Sequence, residues 1–271
     1  MPGHRQPSLF LPHGGGPCFF MEWTMGPPDT WDKTRTFLKG IPDSLPEPPL
    51  AMVVVSGHWE ERLPTVSTTE HPALIYDYYG FPRETYELQW PAPGAPAVAD
   101  RVAELLRNAG LPVARDSTRG LDHGVFVPLK VAFPDANIPV VPLSLASSLD
   151  PALHLAVGKA LAPLRNEGVL IVGSGMSFHN LRAYFHEGTH EKSAAFDHWL
   201  NDSILRPAAE RDARLKRWRD APAASFAHPR EEHLIPLLVA AGAGGDDAGT
   251  RVFQDDPMGA VIGAWRWDGD G

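Results

Sequence analysis

The sequence predicts an α/β fold, with a mostly parallel central sheet flanked by helices, on three observations. Short, nearly continuous apolar runs recur at 8–11, 51–55, 138–145 and 168–172. Runs of this kind mark strands buried on both faces, as in a parallel sheet. Between them lie segments with apolar residues at helical spacing, and alternation of the two patterns is the mark of the α/β class. Several of the runs also lead into glycine and histidine, and open α/β sheets bind ligands outside the carboxyl ends of their strands. An active site at the strand C-terminal ends is therefore expected, within a single domain spanning 1–271.

The elements follow in order. The run at 8–11 is the first strand and the run at 51–55 the second. Residues 61–96, rich in Pro, Tyr and Gly, read as a long loop, and long ordered loops often shape a site. Val98, Val102, Leu105 and Leu106 make one face of a helix over 95–108, which Gly110 stops. A second helix is expected over 151–165, after the strand at 138–145 and before the one at 168–172. Phe196, Trp199, Leu200 and Ile204 line one face of a helix over 193–205. The charged run 210–220 reads as a solvated helix face, and 229–241 as a helix with Pro229 in its first turn. A last strand is expected over 260–267.

Composition narrows the function. Twenty-four basic against 33 acidic side chains leave a formal charge of −9, which disfavours nucleic acid as a partner. One cysteine, Cys18, rules out an internal disulfide framework and a four-cysteine zinc site. The apolar stretch at 9–11 is too short for a secretory signal, and those at 50–55 and 234–241 are too short to span a bilayer. The expectation is a soluble cytoplasmic protein without a membrane partner, as a monomer or a homodimer.

The histidines carry the chemistry. His13 follows the first strand and opens Gly14-Gly15-Gly16; His58 follows the second within Ser56-Gly57-His58-Trp59; His179 follows the 168–172 strand after Gly173-Ser174-Gly175. Three strands leading to histidine beside small residues are hard to explain by packing. Glycine admits close backbone approach, and imidazole is both the commonest metal ligand and the commonest acid–base group. His123, beside Asp122 at an expected helix start, and His233, about one turn into the late helix, join them. His228 suits capping or orienting that helix. His4, His71, His154, His186, His190 and His198 read as surface or internally satisfied. The Gly14–Gly16 triplet has neither dinucleotide nor P-loop spacing. Trp59, Tyr78, Tyr79 and Trp90 fit either core packing or an aromatic pocket.

The strings Pro12-His13-Gly14, Ser56-Gly57-His58-Trp59, Leu121-Asp122-His123-Gly124, His179-Asn180-Leu181-Arg182 and Glu232-His233-Leu234 occur in an order that resembles the DOPA-type, class III extradiol aromatic ring-opening dioxygenases. Tyr79-Gly80-Phe81-Pro82 falls in the same series. The resemblance implies a non-haem Fe(II), with zinc as the alternative ion, held by His13, His58 and His233. Glu232 is the reserve ligand. It further implies His179 as a proton-transferring residue facing the ion across a substrate-sized gap, and His123 orienting the substrate. That substrate is a catechol, DOPA-like or otherwise substituted, opened by insertion of both atoms of O2. Trp59 and Arg182 are the expected substrate-binding residues, with Arg182 or Arg230 available to a carboxylate. Two other functions fit the same histidines: a zinc hydrolase using Glu60 or Glu232 as base, and a non-catalytic binding protein on the same scaffold.

Overall fold

A computed structural model describes residues 4–269. The four apolar runs form the centre of one eight-stranded sheet ordered β4-β3-β5-β2-β6-β1-β8-β7. These are β1 (Ser8–Pro12), β2 (Ala51–Glu61), β3 (Thr65–Ser67), β4 (Ala114–Asp116), β5 (Val140–Ala146), β6 (Val169–Gly175), β7 (Gly249–Asp255) and β8 (Ile262–Trp267). The central strands β5, β2, β6 and β1 run parallel, so their carboxyl ends share one edge. The flanking pairs enter antiparallel, β3 against β5 and β8 against β1.

The helices are α1 (Asp32–Ser44), α2 (Pro96–Asn108), α3 (His123–Ala132), α4 (Pro151–Leu161), α5 (Pro163–Asn166), α6 (Thr189–Ile204), α7 (Ala208–Leu215), α8 (Ala224–Ala227) and α9 (Ile235–Ala243). The pleat of β6 shows how they cover the sheet. A methyl group on Gly173 would stand 2.2 Å from the Pro236 carbonyl oxygen in α9, and one on Gly175 would stand 2.1 Å from that of His233. Ser174 between them faces the other way, its hydroxyl donating to the Gly124 carbonyl in α3. Alternate residues of one strand thus touch helices on opposite faces of the sheet. Every residue of α9 is buried, with α4 packed on its far side. No helix of the described residues is long and apolar enough to cross a membrane.

Several expectations are corrected. The second strand continues to Glu61 with a break in register between Val55 and Glu60, so His58 and Trp59 lie within it. The helix expected from Pro229 begins at Ile235, and Pro236 takes the first-turn place, where a missing N–H costs nothing. The stretch 61–96 holds β3 and a short 3-10 helix, Arg83–Glu87. The charged run at 210–220 is not wholly solvated. Arg211 and Asp212 are buried against each other, and Arg211 also donates to the Gly245 and Asp247 carbonyls. Alternating charge hides an inward-facing pair whose partners are distant in sequence.

Arg165 does similar work between the chain's two ends. Fully buried, it donates to the carbonyls of Gln6, Ala243, Gly244 and Trp267, and pairs with Asp247 at 2.6 Å. Arg165→Met should leave these acceptors and the carboxylate without their donor and cost about 3–5 kcal/mol. Urea denaturation followed by far-UV circular dichroism measures the loss.

Candidate active site

Five histidines from five segments meet at the carboxyl edge of the parallel strands. His13 follows β1 directly, its amide donating to the Gly175 carbonyl at the end of β6. His58 lies in β2 where the register breaks, its amide held by the Ser56 hydroxyl. His123 opens α3, whose N-cap is Asp122. This buried carboxylate accepts from the Ser56 hydroxyl at 2.7 Å, Arg119 at 2.8 Å and the Val125 amide at 3.2 Å. Burial raises the Asp122 pKa despite the hydrogen bonds and positive charge that oppose the rise. His179 stands four residues past β6, and its amide donates to the Ala227 carbonyl. His233 lies in the turn before α9, not within the helix.

Close approach requires glycine here. A methyl group on Gly57 would press on the backbone at Glu232 and His233 at 3.1–3.3 Å, and one on Gly124 would meet the Ser56 hydroxyl at 2.4 Å and the His58 ring at 2.9 Å. The ring centroids of His13, His58 and His233 are 4.6–5.1 Å apart. His123 lies 3.9 Å from His58, and His179 stacks on His233 at 3.5 Å. His179 therefore rests directly on the ring of an expected ligand.

The ring nitrogens are ordered. His13 Nδ1 is 2.9 Å from the Gly14 carbonyl oxygen. A carbonyl only accepts, so Nδ1 carries the proton and Nε2 of the neutral ring holds a lone pair. That Nε2 is buried and has no protein partner. His233 Nδ1 is backed by Glu232 at 3.0 Å and His58 Nδ1 by Asp77 at 3.6 Å. The Nε2 atoms of His58 and His233 stand 3.1 Å apart. Two nitrogens on one tetrahedral ion, each at about 2.0–2.1 Å, are separated by about 3.4 Å, so the spacing suits a shared cation. A ligand imidazole with its other nitrogen held by a carboxylate or carbonyl is the usual second-sphere arrangement. The donor set fits a metal.

Two compact donor groups are present among the described residues: His13 with His58 and His123, and His179 with Glu232 and His233. Asp77 also accepts from His123, at its Nδ1 and amide, both 2.9 Å. Glu232 reaches both His233 Nδ1 and His179 Nδ1, the latter at 3.3 Å. Burial, then repulsion among the neighbouring imidazoles, holds His13 and His233 well below the usual histidine value. Burial lowers His58 to about 3. Burial pushes Asp77 and Glu232 upward, but hydrogen bonds and positive neighbours outweigh it and leave both below their usual values.

All five histidines line one cavity of about 450 Å³, with Tyr78 and Tyr79 among its aromatic neighbours. Trp59 does not reach it: the indole is buried, donates to Glu61 and lies under Arg119. Arg182 is exposed on a separate shallow cleft beside Asn180 and Glu187. Arg230 places both arms on Glu60 at 2.6 Å. Asp77, which contacts two of the histidines, escaped the sequence reading; its signal is its place two residues before Tyr79-Gly80-Phe81-Pro82. His228 is buried with Nε2 donating to the Ser177 carbonyl, so it orients the segment before His179 and not a helix start. His154 is satisfied internally, between the Asp150 carbonyl and the Ala146 amide.

The family model for the catalytic LigB subunit of aromatic ring-opening dioxygenase matches residues 7–265. The chain belongs to this family of ring-opening dioxygenases. Within it the chain is of the DOPA-type extradiol branch. It is 40% identical to 4,5-DOPA dioxygenase extradiol of Mirabilis jalapa, over 82% of this chain and 84% of that one. The protein of that name in Escherichia coli (strain K12) is 37% identical over 90% and 87%. Dioxygenase tasH of Hapsidospora irregularis is 39% identical over 97% and 86%. A crystal structure of an uncharacterized protein from Escherichia coli K12 superposes with a TM-score of 0.77 at 33% identity, covering 97% of this chain and 99% of that one.

Burial makes the site acid-sensitive. His228 is lowered to about 3 by burial, so below the ordinary histidine value the unfolded chain takes a proton that the folded one refuses. Stability is unaffected by this group above about pH 6.5 and falls as pH drops, by about 2 kcal/mol at pH 5. His228→Gln should remove one proton from the pH slope of the urea midpoint between pH 7 and 5. An unchanged slope would show that the residue does not titrate in this way.

Proposed function

We propose that this extradiol dioxygenase opens a substituted catechol at an Fe(II) held by Nε2 of His13, His58 and His233. The observation that carries the reading is the convergence of three neutral imidazoles whose Nδ1 atoms face Gly14, Asp77 and Glu232. Iron supplies, when bound, the redox link between ring electrons and O2 that zinc lacks. Three ligands from separate elements leave coordination positions free for a diol.

The chain's own residues do the rest. His179, with Nδ1 near Glu232, takes a hydroxyl proton at Nε2 and returns it as the ring opens. Glu232 stabilises the imidazolium formed in between. His123, fixed by Asp77, faces the same cavity and orients the ring. The aromatic wall displaces water and holds the ring flat. The carboxylates that a zinc hydrolase would use are committed, Glu60 to Arg230 and Glu232 to the two histidines.

His13→Ala and His58→Ala should each lose stoichiometric iron while keeping their circular dichroism, checked by elemental analysis after anaerobic loading. His179→Ala should retain iron and lose turnover by about 10²–10⁴-fold in oxygen uptake with 4-methylcatechol. Near-normal turnover in that variant would remove the proton-transfer role. Asp77→Asn should weaken iron binding about 10–100-fold. Masking one catechol hydroxyl as a methyl ether should abolish ring opening, seen as loss of the yellow product. Silence from iron-loaded protein across a catechol panel would sink the proposal.

A further inference from the structure

Among the described residues, the cavity offers a substrate carboxylate no lysine or arginine. Apart from the histidines, its wall is built from neutral groups such as Trp23, Trp31, Phe81, Met176, Tyr78 and Tyr184. Tyr78 and Tyr184 spend their hydroxyls on the carbonyls of Thr85 and Phe178. At the mouth stand the exposed side chains of Met25, Tyr79, Leu181 and Phe185. Both arginines that the sequence suggested for an anion lie elsewhere, Arg182 on a separate cleft and Arg230 locked to Glu60.

Past Phe185 and Met258 an open cleft of about 520 Å³ adjoins the mouth. It carries Asp29, Asp255 and Asp256 against Lys33, which pairs with Asp255 at 3.1 Å, and the histidines His186 and His190, the latter 3.8 Å from Asp256. A side-chain carboxylate held away from the histidines would lose its hydration there without gaining a lysine or arginine. One reaching beyond the rim would meet charge of its own sign. At about 450 Å³ the cavity has more room than a bare catechol needs, and the surplus is apolar.

We propose that the cavity favours catechols bearing an uncharged, apolar substituent over those whose side chain carries a lone carboxylate. The proposal rests on the catechol reading above and narrows it to one substrate class. The rim leucine, Leu181, is the position at which a cation would reverse the preference, because it is 70% exposed beside His179 on the cavity mouth.

A matched pair tests this: 3-(3,4-dihydroxyphenyl)propionate and its methyl ester, which share a ring and differ in charge. Iron-loaded protein is assayed by oxygen uptake for kcat/KM. Binding is read separately from quenching of tryptophan fluorescence, since Trp23 and Trp31 line the cavity. The ester should be preferred about tenfold or more in both measurements. Leu181→Arg should lower the ester-to-acid ratio about tenfold, through recovery of the acid. An acid that binds and reacts as well as its ester would overturn the proposal while leaving ring opening intact. If no catechol consumes oxygen, the catechol reading falls, and the two quenching constants still decide whether the cavity rejects a carboxylate.

Discussion

Backbone against backbone is the contact on which this molecule turns. The turn carrying His233 and the helix that follows lie directly on β6, where Gly173 and Gly175 leave no side chain to hold them off. The far side of α9 repeats the device. A methyl group on Gly158 would stand 2.1 Å from the Val239 carbonyl, and one on Gly242 2.3 Å from that of Leu155. The Met176 amide then donates to the His233 carbonyl at 3.0 Å, tying the turn to the strand end that leads to His179. An ordinary helix–sheet spacing would carry His233 away from His13 and His58. The glycines thus set the distance at which imidazoles from opposite faces of the sheet can meet.

Bringing so many imidazoles together has an electrostatic cost that the surroundings manage. Burial and mutual repulsion keep His13, His58 and His233 neutral, the form in which a ring nitrogen has a lone pair to give. Neutral rings still need their N–H groups satisfied, and a carbonyl and two carboxylates stand behind them. Asp77 and Glu232 each serve two histidines, so a pair of acidic side chains orders four rings. The same economy appears in Asp122, which caps α3 and anchors Ser56 beneath His58.

Legibility in the sequence followed the range of the interactions. The four central strands are legible because each contains a run buried on both faces and therefore mostly apolar. The short strands β3 and β4 at one end of the sheet carry mixed residues and exist only through pairing with distant segments. Pro229 has the sequence context of a first-turn proline, whereas the helix starts at Ile235, against the glycine-lined groove. His13, His58 and His179 are legible by their glycine and strand context, and His123 and His233 by their places near expected helix starts. Asp77 is not, since a carboxylate in an irregular segment has no period to betray its partners. Trp59 and Arg182 are expectations of the resemblance, as members of the strings that carry His58 and His179, and the structure turns neither toward the cavity.

The mouth of the cavity obeys different rules from its floor. Met25, Tyr79, Leu181 and Phe185 come from three separate connecting segments, and all four are exposed. Their replacement disturbs little packing, while the glycines and carboxylates beneath the histidines tolerate almost nothing. Such a division lets the reaction stay constant while the accepted molecule drifts. A change of rim residue can thereby alter which molecule is admitted while the packing beneath the histidines stays as it is.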